Sequence, residues 1–151
     1  MENYSYKQIT SSDTDVLRDL LAVFGLAFED VHTYQDAQPS DEYLAALLAK
    51  LDFIALVALS EDKVVGGLAA YVLQKFEQER SEVYIYDLAV LEKHRRKGIA
   101  TKLINELKLI AKEKNAYVIY VQADQGDIPA IKLYESLGVK EDVHHFDISV
   151  E

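Results

Sequence analysis

The stretch Tyr84–Thr101, YIYDLAVLEKHRRKGIAT, changes from a buried-strand composition to a charged loop and then to a helical pattern. Its first seven residues are aromatic, β-branched or aliphatic apart from one acid, Asp87, and such a composition predicts an interior strand. From Gly98 onward, apolar residues recur three and four positions apart until about Lys112, which predicts a helix. The stretch therefore predicts a strand, a loop and a helix in direct succession.

The loop concentrates positive charge in an acidic protein. Five of the chain's 16 lysines and arginines lie between positions 92 and 102, although the formal net charge is -10. A helix N-terminus leaves backbone N–H groups unpaired and carries a partial positive charge, and Gly98 lets the backbone approach a ligand closely. We therefore predict a phosphate-binding loop, with a merely solvated charge run as the alternative. Neither G-x-x-x-x-G-K-[ST] nor G-x-G-x-x-G occurs in the chain.

Length and composition restrict the remaining possibilities. A chain of 151 residues that is 50% hydrophobic predicts one domain, 1–151, with a sizeable core. The absence of cysteine excludes disulfides, thiolate metal sites and a cysteine nucleophile, and the four histidines lack metal-ligand spacing, so no metal is expected. No signal peptide or run of ~18 apolar residues is evident, which predicts a soluble, cytoplasmic protein without membrane contact. A pI of about 4.8 argues against nucleic-acid binding and favours a cationic partner, unless the acidity serves only solubility.

The whole chain reads as an α/β protein with a mixed sheet and helices on both faces, in the order β-α-α-β-β-β-α-β-α-β. Phe53–Leu59 and Val64–Leu73 predict a hairpin, with Gly66 and Gly67 marking a bulge or a close backbone approach. Gly25 is predicted to end or bend the first helix. The stretch from 143 to 150 predicts a last strand.

The motif Arg95-x-x-Gly98-x-Ala100 resembles the [QR]-x-x-G-x-[GA] signature of the GCN5-related N-acetyltransferase (GNAT) superfamily. The resemblance is closer still to the type I aminoglycoside 3-N-acetyltransferases, the gentamicin and fortimicin resistance enzymes. Its segments are spread over most of the chain: LAVFGLAFEDVHTYQDAQP, FIALVAL, LAAYVLQKFEQERSEVYIYDLAV, EKHRRKGIAT, NAYVIYVQADQGDIPAIKLY and HHFDI. It implies the GNAT fold, acetyl-coenzyme A as donor and transfer of acetyl to the 3-amino group of an aminoglycoside.

The resemblance implies that two segments of the chain bind the donor and that one side chain protonates its departing thiolate. The strand before the phosphate loop is expected to align the pantetheine arm, and the loop with the first helical turn is expected to hold the pyrophosphate. These cofactor-binding residues are Leu88, Ala89, Val90, Arg95, Arg96, Lys97, Gly98, Ile99, Ala100 and Thr101. Tyr134, in AIKLYESLG, matches the tyrosine expected to protonate the departing thiolate; a plain core role on its helix is the alternative.

Acetyl transfer also needs a group that takes a proton from the amine. Asp87 is our first candidate for contacting the amine, either as this base or as an anchor, because a buried carboxylate is costly unless it is paired or functional. A carboxylate satisfied by local hydrogen bonds or by Arg80 is the alternative, and Glu82, acting through water, is the second candidate base. Alternation predicts that Val83, Ile85 and Asp87 share one face of the strand, unless a bulge near Leu88 changes the division.

A polycationic acceptor calls for several carboxylates, with hydrogen-bonding or stacking groups from His32, Tyr34 and His145. The substrate-binding candidates are Glu29, Asp30, Tyr34, Asp87, Asp124, Asp127, His145 and Asp147.

Two alternatives to aminoglycoside acetylation stay open. An enzyme with the same donor site could transfer acetyl to another polycation, such as spermidine or a protein N-terminus. The alternative from a different functional class is a non-catalytic acyl-coenzyme A binding module. Many superfamily members have two strands after the last helix, where this chain has only about a dozen residues. Either one strand is lost or a neighbouring chain completes that edge as a homodimer.

Overall fold

The computed structural model describes residues 2–151. The strands are β1 (Tyr4–Gln8), β2 (Phe53–Ser60), β3 (Lys63–Gln74), β4 (Ser81–Val90) and β5 (Ala116–Val121); the α-helices are α1 (Thr14–Ala27), α2 (Asp41–Leu48), α3 (Ile99–Glu113) and α4 (Ile128–Leu137). The sheet has the order β1-β2-β3-β4-β5 and is antiparallel except for the parallel pair β4 and β5. The predicted mixed sheet is confirmed.

Helices cover both faces of this sheet. Alternation along β2 sends Ile54 and Leu56 to one face and Phe53 and Ala55 to the other. The first face packs against α3 and α4, and the second against α1 and α2. On the second face the core ends at β4, and no residue of β5 belongs to it.

The β2–β3 hairpin and its glycines agree with the sequence prediction. Glu61 and Asp62 both have left-handed φ angles, 49° and 64°, as a two-residue hairpin turn of type I′ requires. A register shift next to Gly66 forms the expected bulge. A Cβ on Gly67 would stand 2.5 Å from both Leu20 Cδ1 and the Leu56 carbonyl oxygen, so this glycine allows α1 to lie against the sheet.

Two predictions about element ends were wrong. Gly25 does not end α1, which continues to Ala27; a Cβ there would stand 3.0 Å from the Gln35 side chain, so the glycine makes room for the next segment. The predicted last strand is absent: residues 139–151 are exposed and form no strand, because no neighbouring strand pairs with them. No hydrogen bond or ion pair links them to the rest of residues 2–151.

Among the described residues, no helix combines the length and apolar character needed to cross a membrane.

Candidate functional site

The predicted phosphate loop lies between β4 and α3. A 3-10 turn, Glu92–His94, is followed by left-handed φ angles at Arg96 (62°) and Gly98 (80°), after which α3 begins. No side chain caps α3, and a Cβ on Gly98 would meet no atom within 4 Å. The first-turn N–H groups therefore face open space, which is the arrangement that binds an anion.

The cations of this loop differ in how they are held. Arg95 donates from Nε to the Val90 carbonyl at 2.9 Å, which ties the loop to the end of β4. Lys97 pairs with Glu2, and this hydrogen bond is the main reason that the pKa of Glu2 falls to about 2. Arg96 has no ion-pair partner among residues 2–151 and is exposed. Arg96, together with Lys93, which is likewise exposed and without an ion-pair partner among these residues, is therefore most available to a phosphate.

The strand before the loop has a free edge. The parallel ladder between β4 and β5 ends at Ile85 and Val121, while β4 continues to Val90. Leu88, Ala89 and Val90 pair only with β3. Their other edge is open to an extended ligand that adds along the strand. Together with the open Gly98 cradle, this edge fits the pantetheine and pyrophosphate parts of acetyl-coenzyme A.

Asp87 sits where a bulge changes the direction of side chains along β4. Ala69 pairs with Asp87 and Ala70 with Ile85, so one extra residue, Tyr86, lies between them. Asp87 consequently faces Tyr34 on the α1 side, so the bulge changes the division that plain alternation gives, in which Asp87 shares a face with Ile85.

The environment of Asp87 suits a proton acceptor. The side chain is half-buried, and Tyr34 Oη donates to Asp87 Oδ2 at 3.0 Å. Burial raises the pKa of Asp87 to about 6, with the hydrogen bond from Tyr34 opposing the shift. A base is most effective when its pKa lies near the working pH. Arg80 is not its partner, since that guanidinium lies 3.6 Å from the ring centroid of Tyr117.

Tyr34 is held in place by the segment that follows α1. A π-helical turn, His32–Asp36, carries it, and its ring lies against Phe24 and Phe28 at centroid distances of 5.9 and 5.7 Å. Asp30 accepts from the Thr33 amide at 3.1 Å and so stabilises this turn. Burial, followed by the charge of Asp87, raises the pKa of the Tyr34 hydroxyl, which therefore stays protonated as a donor.

Glu82 has the opposite environment. Its carboxylate accepts from Tyr117 and from Lys75, and these two hydrogen bonds lower its pKa. An ionised carboxylate that already has two donors is a weaker base than Asp87.

Tyr134 lies on the other face of the sheet from Asp87. It lines a cleft with Ile85 and Val121, at the end of the β4–β5 ladder, and packs against the α3 core. Burial, assisted by the charge of Asp127, raises its pKa to about 12. The phenol therefore keeps its proton at neutral pH and is able to give it to a thiolate.

The remaining predicted acceptor residues are dispersed. Glu29 lines a cleft with Arg95 beside the phosphate loop, and Asp127 caps α4 by accepting from the Ala130 amide at 3.3 Å. Asp124 is exposed in the turn before α4. His145 hydrogen-bonds only to Asp147, at 2.9 Å, and His32 pairs with Asp36, so neither histidine contacts Asp87.

Of the acceptor candidates, the structure brings together Asp87 and Tyr34. A row of four tyrosines, which was not predicted as part of the site, lies beside them. Their alternation along the strands was the available signal: Tyr71, Tyr84, Tyr86 and Tyr120.

The fold and loop agree with comparison to known proteins. The family model described as "Acetyltransferase (GNAT) family" matches residues 17–139. This range is most of the chain and includes Tyr34, Asp87 and the loop before α3. The chain belongs to the GNAT acetyltransferase family. Acetyl-coenzyme A is the donor used by GNAT acetyltransferases.

Two solved structures resemble this GNAT chain over nearly its full length. Aminoglycoside acetyltransferase HMB0005, from an uncultured soil metagenomic sample, is 52% identical, with a TM-score of 0.97 and coverage of 99% of both chains. Aminoglycoside acetyltransferase meta-AAC0020, also from an uncultured soil metagenomic sample and solved with sisomicin, is 33% identical, with a TM-score of 0.90 and coverage of 98% of this chain and 97% of its own.

A curated relative, the N-alpha-acetyltransferase of Saccharolobus solfataricus, is 34% identical over 96 residues, which cover 56% of this chain and 55% of the relative. The chain spans about half the length, or less, of the curated relatives it matches.

Proposed function

We propose that this chain transfers the acetyl group of acetyl-coenzyme A to the 3-amino group of an aminoglycoside, as a resistance enzyme. The observation that carries the proposal is the half-buried Asp87, which accepts a hydrogen bond from Tyr34. It lies on β4 just past the end of the β4–β5 ladder, next to the part of β4 whose edge is open to the donor. Support for the acceptor comes from the two aminoglycoside acetyltransferases that share the whole fold. The 3-amino position rests on the sequence resemblance.

The donor site is built from backbone and the loop. Bound acetyl-coenzyme A supplies an acetyl group activated as a thioester. Leu88, Ala89 and Val90 offer backbone groups to its arm, while Arg96 and the N–H groups of residues 99–101 neutralise its phosphates. These contacts position the acetyl group, and positioning accounts for much of the rate in such a transfer.

Two side chains then move protons. The acceptor amine attacks in its neutral form, and Asp87, on the α1 face, takes the proton that the nitrogen loses as it becomes an amide. As nitrogen forms a bond to the acetyl carbon and the carbon–sulfur bond breaks, Tyr134, on the α3 and α4 face, gives its proton to the leaving sulfur. We assign Glu82 to a structural role, because its carboxylate already accepts hydrogen bonds from Lys75 and Tyr117.

A thiol-release assay tests the proposal. Purified protein with acetyl-coenzyme A is offered gentamicin, spermidine or a peptide with a free N-terminus, and the acetylated nitrogen is located by mass spectrometry and NMR. We expect release with gentamicin and acetylation at the 3-amino group. Release with the other amines but not with gentamicin would contradict the acceptor, and tight coenzyme binding without release on any amine would indicate a non-catalytic module.

A peptide N-terminus is the second candidate acceptor. The N-alpha-acetyltransferase of Saccharolobus solfataricus is 34% identical to part of this chain, which favours this alternative over other amines. The peptide arm of the same assay decides between them.

We also propose a homodimer in which C-terminal segments are exchanged. In residues 143–150 the apolar side chains of Phe146, Ile148 and Val150 alternate with polar ones and are at least 80% exposed. The free edge of β5 carries neither proline nor charge, the usual protections of an edge strand. Adding the C-terminal segment of a second copy to this edge gives β5 a partner and covers the apolar side chains of the segment.

Light scattering after gel filtration is expected to give a dimer for the wild type. The double variant Phe146→Asp with Ile148→Asp is expected to give a monomer, and a wild-type monomer contradicts the exchange.

A further inference from the structure

The sheet face beside Asp87 carries a continuous row of tyrosine rings from three strands. Tyr71 on β3 lies 5.9 Å from Tyr86 on β4; Tyr86 lies 5.8 Å from Tyr84; and Tyr84 stacks on Tyr120 of β5 at 4.7 Å with an interplanar angle of 5°. These are centroid distances within the range of direct aromatic contact. We call these four residues the tyrosine platform.

The platform lies on the same side of the sheet as Asp87. Tyr71 contacts Phe53, at 5.2 Å, and Phe53 belongs to the core under α1 and α2. Burial is the main cause of the raised pKa of Tyr71 and Tyr84, and for both the charge of Asp87 adds to the shift. The four rings and the candidate base therefore face one common space.

No helix covers this part of the sheet. The core under α1 and α2 ends at β4, and rings at its border are accessible to solvent: Tyr86 on β4 is 61% exposed, and Tyr71 on β3 is 36% exposed. The Tyr84 hydroxyl bonds to Gln122 Oε1 at 2.9 Å, which fixes the central ring. Within residues 2–151, the hydroxyls of Tyr71, Tyr86 and Tyr120 have no hydrogen-bond partner in the protein. Three phenol groups are thus available to a ligand on a surface whose rings hold one another in place.

Such a surface suits one kind of ligand. A protonated amino sugar presents C–H groups on the flat sides of its rings and ammonium groups at their edges. An ammonium over an aromatic face is attracted by the ring, and more strongly when water is excluded. The protein's charge of -10 favours the approach of a polycation. Free phenols can accept or donate hydrogen bonds to the hydroxyls and amines of the sugar.

We propose that the tyrosine platform binds a protonated amino-sugar ring of the acceptor, next to the ring whose amine reaches Asp87. This inference rests on the proposed function and identifies the surface that binds the part of the acceptor that does not react. The competing explanation is purely structural, since cross-strand aromatic pairs also stabilise a sheet.

Alanine and phenylalanine variants separate the two explanations, with gentamicin and acetyl-coenzyme A as substrates. We expect Tyr86→Ala to raise the KM for gentamicin about 10-fold, with kcat and the KM for acetyl-coenzyme A unchanged, because uniform binding affects KM alone. Tyr86→Phe keeps the ring and is expected to stay within about threefold of wild type. Tyr120→Leu tests the far end of the platform in the same way. Phe76→Ala removes a ring that is 98% exposed in the β3–β4 connection and serves as the matched control.

The outcomes are distinguishable. If wild type acetylates gentamicin and the alanine variant lowers only the free energy of unfolding, the platform is structural and the inference is wrong. If both substrates lose affinity equally, the effect is not specific to the acceptor, and the inference is again wrong. If wild type transfers no acetyl group to gentamicin, the proposed function fails first, independently of any tyrosine variant.

Discussion

Replacing Asp87 with asparagine is expected to stabilise the fold while it disables transfer. The carboxyl is half-buried and its pKa rises from 3.8 to about 6. A shift of about two units corresponds to about 3 kcal/mol if burial is complete. Because the side chain keeps part of its solvent, we expect about 1–2 kcal/mol.

The size of this stabilisation depends on pH. Above pH 4 the unfolded chain has mostly released this proton, while the folded chain keeps it until about pH 6. The charged form is the one that folding disfavours, so Asp87 costs nothing at low pH and its full penalty appears above about pH 6. Asp87→Asn removes the ionisation and keeps an oxygen that can accept from Tyr34.

Urea unfolding at pH 4.5 and pH 8 measures the difference. The variant is expected to be more stable than wild type by about 1–2 kcal/mol at pH 8 and by less at pH 4.5. Asp142→Asn, at a fully exposed position, serves as the control and is expected to show no such dependence. A gain that is equal at both pH values, or a loss at pH 8, would refute the argument that Asp87 is desolvated.

Activity gives the second measurement. Wild-type kcat/KM is expected to rise as pH increases through about 6, since the ionised carboxylate accepts the proton. Asp87→Asn is expected to lower kcat roughly 100-fold or more with coenzyme affinity unchanged. Retained activity would place the base elsewhere, and Glu82 would then be tested next.

Other variants test the donor side and the packing. Tyr134→Phe is expected to lower kcat by roughly 100-fold with little change in coenzyme affinity, as single-turnover kinetics and calorimetry can show. Arg96→Ala is expected to weaken coenzyme binding about 10-fold or more by calorimetry and to leave the KM for the acceptor nearly unchanged; equal losses would contradict the division of the site. Gly98→Ala places a side chain at φ 80° and is expected to destabilise the loop by about 1–2 kcal/mol although no atom blocks it. Gly67→Ala is expected to lower the unfolding free energy by about 1–3 kcal/mol, against almost no change for Gly126→Ala, whose Cβ meets nothing within 4 Å.

The sequence was sufficient where one local rule decides the structure. Periodicity after Gly98 and the glycine itself predicted α3 and the start of the helix, and short apolar runs separated by turn residues predicted the β2–β3 hairpin.

Features that depend on distant partners could not be predicted in this way. The direction of Asp87 depends on where β3 and β4 shift register, and strict alternation placed it on the wrong face. The stretch from 143 to 150 has the alternation of a strand but no partner in its own chain. The tyrosine platform forms only because three strands lie side by side. The sequence of each strand shows its own tyrosines but not which strands are neighbours.

The unequal covering of the two sheet faces affects how such a protein can change over evolutionary time. On the α3 and α4 face, residues such as Leu103 and Leu107 are fully buried, so a substitution there disturbs the core and the phosphate loop together. On the open half of the opposite face, Tyr86 and Tyr120 have solvent on one side, and exchanges there have small effects on stability. Under the proposed function, acceptor preference can therefore change by single substitutions on this open surface while the donor side stays the same. Libraries intended to alter the accepted amine are best confined to that open surface.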